Sequence, residues 1–159
     1  MRKIIFMLTL MSLVSAANAE GVVDAKRIYV GGGFGFNNLP GAGSARGFQF
    51  FGGYNFEFKM NDDISTALEI GYMDSGDFDT FNGGSISSAT GVWASAVESV
   101  PLSNKTDMLV RLGYDFGDDD GLLLGAGMQY KFTTKVSMRM EYVARESING
   151  LQANILFKF

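Results

Sequence analysis

The chain has 159 residues, 17 acidic against 13 basic, with 21 glycines, 13% aromatics, two prolines and neither cysteine nor histidine. Without cysteine there is no disulfide framework, and without histidine the usual general base, the usual zinc ligand and any Ser-His or Cys-His relay are missing. The length allows one domain, and the acidic balance argues against nucleic acid as a partner.

The first residues predict an export signal. Met1-Arg2-Lys3 is positive, Ile4 to Val14 is mostly apolar, and Ala17-Asn18-Ala19 offers the small side chains a signal peptidase requires. The apolar run falls short of the ~20 residues of a membrane helix. Cleavage after Ala19 is expected, so residues 1–19 are the signal peptide and residues 20–159 the domain. Removing Arg2 and Lys3 leaves 11 basic against 17 acidic residues, a net of −6.

Beyond the leader the chain alternates with a period of two, the pattern of strands with unlike faces. From Arg27 to Phe36, Ile28, Val30, Gly32, Phe34 and Phe36 share one side, and Asn37 to Ala45, with Pro40 and several small residues, reads as a loop. Arg46 to Lys59 sets Phe48, Phe50, Gly52, Tyr54, Phe56 and Phe58 against Gln49, Phe51, Gly53, Asn55, Glu57 and Lys59, and Met60 to Asp63 turns the chain. Ile64 to Met73 sets Leu68, Ile70 and Tyr72 against Ala67, Glu69 and Gly71, and the longest loop follows, Asp74 to Ser87, acidic and rich in Gly, Ser and Asn. Ser88 to Val100 is small on both sides; placing Glu98 inward sends Trp93, Val97 and Ser99 outward.

Thr106 to Phe116 sets Met108, Val110, Leu112, Tyr114 and Phe116 against Leu109, Arg111, Gly113 and Asp115, and Gly117 to Gly121 closes a hairpin. Leu122 to Phe132 sets Leu124, Ala126, Met128, Tyr130 and Phe132 against Leu123, Gly125, Gly127, Gln129 and Lys131. Lys135 to Arg145 sets Val136, Met138, Met140 and Tyr142 against Ser137, Arg139, Glu141, Val143 and Arg145. In the last strand Leu151, Ala153, Ile155, Phe157 and Phe159 oppose Gln152, Asn154, Leu156 and Lys158. That makes eight strands of roughly the ~9 to 11 residues a tilted membrane-crossing strand needs.

Charge placement does not separate a soluble sandwich from a membrane barrel, because both would gather the charges on one face. The aromatics do separate them. With the termini at one end, Phe56, Phe58, Tyr130, Phe132, Phe157 and Phe159 fall at that end, and Phe34, Phe36, Phe48, Tyr72, Tyr114 and Phe116 at the other, as two interfacial girdles. A lipocalin-like barrel would instead have an apolar lumen and a polar exterior. The expected fold is all-β, an eight-stranded antiparallel up-and-down transmembrane barrel.

The run Leu122-Leu123-Leu124-Gly125-Ala126-Gly127-Met128-Gln129-Tyr130-Lys131-Phe132, then Met138-Arg139-Met140-Glu141-Tyr142 and the terminal Phe159, resembles the closing strands of small eight-stranded outer-membrane proteins. The resemblance is to the OmpA-type transmembrane domain and its OmpX/Ail-like relatives, and Leu68-Glu69-Ile70-Gly71-Tyr72 and Arg111-Leu112-Gly113-Tyr114 add to it. It implies placement in the outer membrane of a Gram-negative bacterium, among lipid and lipopolysaccharide, and it implies that Tyr130, Phe157 and Phe159 are read by the outer-membrane assembly machinery. The resemblance is to the barrel of OmpA alone, so anchoring through a peptidoglycan-binding domain is not expected from it.

Inside such a barrel the expected charge network comprises Glu57, Glu69, Glu98, Arg111, Asp115, Lys131, Arg139, Glu141, Arg145 and Lys158, centred on Glu57, Glu69, Arg111, Arg139 and Glu141. Near-balanced charges in a narrow lumen should pair, which favours a structural plug over a channel. Glu57 and Glu69 could suggest paired catalytic carboxylates, but a closed barrel gives them no substrate cleft, so no enzymatic activity and no cofactor is expected. Gly31-Gly32-Gly33-Phe34-Gly35 lies within a strand and lacks the Gly-Lys-Ser/Thr ending of a phosphate loop, so it reads as room for bulky neighbours. The outer loops hold Asp74, Asp77, Asp79, Asp118, Asp119, Asp120 and Glu146; their spacing matches no EF-hand, and solvated acidic loops are expected rather than a Ca²⁺ or Mg²⁺ site. The functional expectation is an envelope protein with surface interaction through residues 74–87. The alternatives are a host-binding adhesin and a narrow ion channel.

Overall fold

Eight strands pair edge to edge until the last meets the first. The structure is a computed structural model and describes residues 24–56, 64–79 and 83–159. A 3₁₀ turn, Ala25–Arg27, precedes β1 (Ile28–Leu39) and β2 (Gly43–Asn55); β3 (Ser65–Asp74) leads to a two-stranded flap, β4 (Phe78–Asp79) with β5 (Ser85–Ile86). Then follow β6 (Thr90–Pro101), β7 (Thr106–Asp115), β8 (Gly121–Lys131), β9 (Val136–Ala144) and β10 (Asn149–Lys158). The barrel order is β1-β10-β9-β8-β7-β6-β3-β2, and β1 also pairs with β2, all antiparallel. The expected signal peptide, Glu57, Phe58, Lys59 and the turn at 60–63 lie outside the described residues.

Register puts Tyr29 opposite Lys158, so both ends of the barrel sequence lie at one rim, here the terminus end. Residues 102–105 and 132–135 turn at that rim, and residues 40–42, 75–79, 83–89, 116–120 and 145–148 lie at the far end.

The outside is greasy. Phe34, Leu68, Ile70, Val110, Leu112, Leu124, Met128, Met140 and Ile155 are exposed around the barrel, Phe34 to 75%. A belt of that extent in water would be a large unsupported apolar patch, whereas hydrocarbon is its natural solvent. Both expected girdles are outward-facing: Tyr130, Phe132, Phe157 and Phe159 are exposed at the terminus end, and Phe34, Phe36, Tyr114 and Phe116 at the far end.

Two expectations are corrected. Asn37 to Ala45 is not one long loop: β1 runs to Leu39 and β2 starts at Gly43, with Asn37 opposite Ala45 and Asn38 opposite Ser44. Composition signals a loop there, yet ladder bonds and the buried Asn37 amide, which donates to Ser75 O at 2.9 Å, keep the chain paired beyond the apolar belt. The second correction is β6, whose faces are inverted. Trp93, Ser95 and Val97 are buried in the lumen, and Glu98 shares the outer face of Thr66, Leu68 and Ile70. The indole decides the register: it fills the space opened by Gly71, where a Cβ would meet the Trp93 ring at 2.5 Å. Glu98 can then face outward because it lies near the end of β6, where an outward charge costs about 0–1 kcal/mol.

Candidate functional site: the bridged lumen and its two mouths

Arg111 on β7 and Glu141 on β9 reach each other across β8, which passes between them as Gly125-Ala126-Gly127. The two glycines supply the room: a Cβ on Gly127 would stand 2.9 Å from Glu141 Cγ. Arg111 Nε donates to Glu141 Oε1 at 3.2 Å and Nη2 to Oε2 at 3.0 Å, a forked pair. The same Nη2 lies 2.7 Å from Glu69 Oε2 on β3, across the lumen. Arg139 closes the group, with Nη1 at 2.6 Å from Glu69 Oε1 and Nε donating to Gln129 Oε1 at 3.0 Å. Tyr29 on β1 donates its hydroxyl to Glu69 Oε1.

Two guanidinium groups and two carboxylates thus meet, buried and balanced in charge. Aromatic faces complete the plug, for Arg111 lies 4.7 Å from the Trp93 ring centroid and Arg139 lies 5.7 Å from that of Phe51. Beside them Gln49 Nε2 donates to Gln152 Oε1 at 2.8 Å and to Asn154 Oδ1 at 3.0 Å, tying β2 to β10. Every barrel strand sends a side chain into this layer. Glu69 Oε1 thus accepts from Tyr29 and Arg139, while Oε2 forms the ion pair with Arg111.

Of the other expected members, Asp115 and Arg145 form a separate buried pair at the far end, Arg145 Nε donating to Asp115 Oδ2 at 3.0 Å. Lys131 is 2.6 Å from Asp107 Oδ2 near the terminus end. Lys158 is exposed at the terminus mouth, Glu98 is outside the barrel, and Glu57 is outside the described residues. Tyr29, Trp93 and the Gln49, Gln152 and Asn154 amides were not singled out from sequence. Parity places Tyr29, Gln49, Gln152 and Asn154 on the face opposite the apolar one, whereas Trp93 lies on β6, whose small residues do not distinguish the two faces.

The two mouths differ. At the terminus end a cavity of about 440 Å³ is lined by Tyr29, Ser99, Gln129, Lys131, Arg139 and Lys158, with the charge layer as its floor. At the far end, the flap packs Phe78 with Ala45 and Ile148, against Leu39 and Ala89, as a small apolar roof. The acidic loop residues fasten it. Asp119 accepts from Ser147 N at 2.9 Å and Ile148 N at 3.1 Å, Asp118 from Thr90 N at 2.8 Å, Asp77 from Ser88 N at 2.9 Å and Asp74 from Gly76 N at 3.0 Å. Asp79 and Asp120 are exposed. Among the described residues no three metal-ligating side chains converge.

The structure resembles the Yersinia pestis outer membrane protein Ail in phospholipid bilayer nanodiscs, with TM-score 0.58 and 14% identity over 83% of this chain and 98% of that one. It also resembles crystalline Ail from the same organism in complex with the heparin analogue sucrose octasulfate (TM-score 0.50, 15% identity, 83% and 96% covered). Neisserial surface protein A shares the fold at TM-score 0.53 and 17% identity, over 83% and 97%. None of the curated proteins matches the sequence. A family match described as "Outer membrane protein beta-barrel domain" covers residues 6–155, and with it the chain belongs to that family of the bacterial outer membrane.

Proposed function

We propose that this protein is a structural component of the outer membrane, a plugged barrel that carries a compact surface patch on its far end. The observation that supports this is the Arg111, Glu141, Glu69 and Arg139 layer, which links β3, β7 and β9 through the centre of the lumen. A conducting path would have to part these groups, each left unpaired in a low-dielectric interior. In this reading the termini face the periplasm, the aromatic end of β10 with Phe157 and Phe159 is the assembly signal, and the far-end loops meet lipopolysaccharide and the exterior. Planar-bilayer recording tests it: wild-type barrels should show no steady open level, and a large persistent conductance would overturn the plug.

A second reading, a surface adhesin, draws on the likeness to Ail and on the flap, where Ile86 is 43% exposed. The exposed far-end carboxylates Asp77, Asp79, Asp118 and Asp120 would repel a sulfated polyanion such as the one held by Ail, so the partner that fits is cationic. Replacing residues 79–87 with a short turn should abolish binding of cells or basic proteins if this reading holds and leave it unchanged if it does not.

A further inference from the structure

Glu98 breaks the rule that governs the outside of this barrel. Among the described residues, outward positions away from the far rim are apolar, aromatic, glycine or threonine, and Glu98 is the exception. Its two carboxylate oxygens lie 2.9 and 3.0 Å from Thr66 Oγ1 on β3. A hydroxyl donates one proton, so most of the carboxylate's acceptor capacity is free. Glu98 is three residues from Pro101, where β6 ends at the terminus rim, which brings it toward the level where hydrocarbon gives way to headgroups.

The surface leading from Glu98 toward the membrane midplane is shaped as well as charged. β6 offers Ala96 and then Ala94, while Leu68 and Ile70 on β3 and Leu112 and Tyr114 on β7 stand opposite them in register. Those four flanking side chains are exposed, so they wall a shallow apolar trough that ends on the carboxylate. A negative acceptor at the headgroup level, continued by a channel the width of one strand toward the midplane, matches an amphipathic molecule with a cationic head and a hydrocarbon tail.

We propose that Glu98, Thr66, Ala96 and Ala94 form a binding site for a phospholipid with a primary-amine headgroup. The ammonium donates to the Glu98 carboxylate in a charge-assisted hydrogen bond, and one acyl chain lies over the two alanines. A quaternary ammonium has no N–H to donate, and an anionic glycerol headgroup is repelled. The site requires the barrel to sit in a bilayer.

Native mass spectrometry of the barrel released from nanodiscs of equal phosphatidylethanolamine, phosphatidylcholine and phosphatidylglycerol tests it. Retained phosphatidylethanolamine should outnumber each of the other two lipids by about threefold, the size of a surface ion pair. Glu98→Gln, which preserves shape, should return retention to the bulk ratio. Ala96→Leu should lower retention of all three lipids. Unheated and boiled gel mobility verifies that each variant is folded. Headgroup-independent retention by the wild type, enrichment that survives Glu98→Gln, or a dimer formed equally in all lipids and broken by Ala96→Leu would each overturn the site. Failure to retain any lipid, with the barrel folded, would instead count against the membrane placement.

Discussion

The two mouths of this barrel are built from the same inventory and do opposite things. At the far end aspartates accept from loop backbone and a phenylalanine turns inward, so the entrance is roofed by Phe78 and Ile148. At the terminus end the turns at residues 102–105 and 132–135 are short, Lys158 is exposed and a cavity reaches down to Arg139. Between them lies a layer that neither mouth can dispense with. The contrast shows that a carboxylate's role here is set by what it accepts from: loop amides at the roof, guanidinium groups at the centre, one solvated lysine at the open mouth.

Removing the central acceptor is the strongest way to break this arrangement. Glu69→Ala leaves Arg111 and Arg139 short of a counter-charge in the interior, and the expected loss is about 3–5 kcal/mol in urea unfolding from vesicles. Arg111→Met combined with Glu141→Leu should lose less than either single change, because it leaves no lone charge between the two positions. Equal losses at Glu69 and at the open mouth would erase the distinction between centre and rim.

The roof comes next. Phe78→Ala should cost about 3 kcal/mol of local stability and leave the barrel itself folded, read as faster amide exchange at residues 75–79 and 145–149 with unchanged gel mobility. Asp119→Ala removes the acceptor for two backbone N–H groups and should cost about 1–2 kcal/mol at the same amides. If either substitution sped exchange across β1 to β10 alike, the roof would be part of the barrel's cooperative unit and not a lid on it.

Strand number, the apolar exterior and the core of the charge layer were legible because alternation is strict in β3, β7, β8 and β9. Arg111, Glu69, Arg139 and Glu141 each fall opposite long apolar side chains, and parity alone turns them inward. β6 lacked that contrast. Its alanines, serines and valines suit either face, so in the sequence one carboxylate outweighs the rest, whereas in the fold the lone tryptophan, which needs the Gly71 gap, sets the faces. The inward Phe51, Leu109, Leu123, Val143 and Leu156 show why polarity underdetermines such a lumen, which mixes apolar filler with charge. The aspartates of the far loops read as solvated for a related reason: their partners are backbone amides, which composition does not reveal.

The smallest effect belongs to the open mouth. Lys131 meets Asp107 at 2.6 Å, shorter than several contacts of the central layer, yet its side chain is 43% exposed. Solvent screens such a pair and water replaces the lysine when it is lost, so Lys131→Met should cost less than about 1 kcal/mol and lose even that difference in high salt. Distance would rank this bridge beside Arg139 and Glu69, whereas burial ranks it far below. Urea midpoints for Lys131→Met and Glu69→Ala at low and high salt separate the two rankings: a salt-sensitive small shift for the first and a salt-insensitive large one for the second is the outcome that the difference in burial requires.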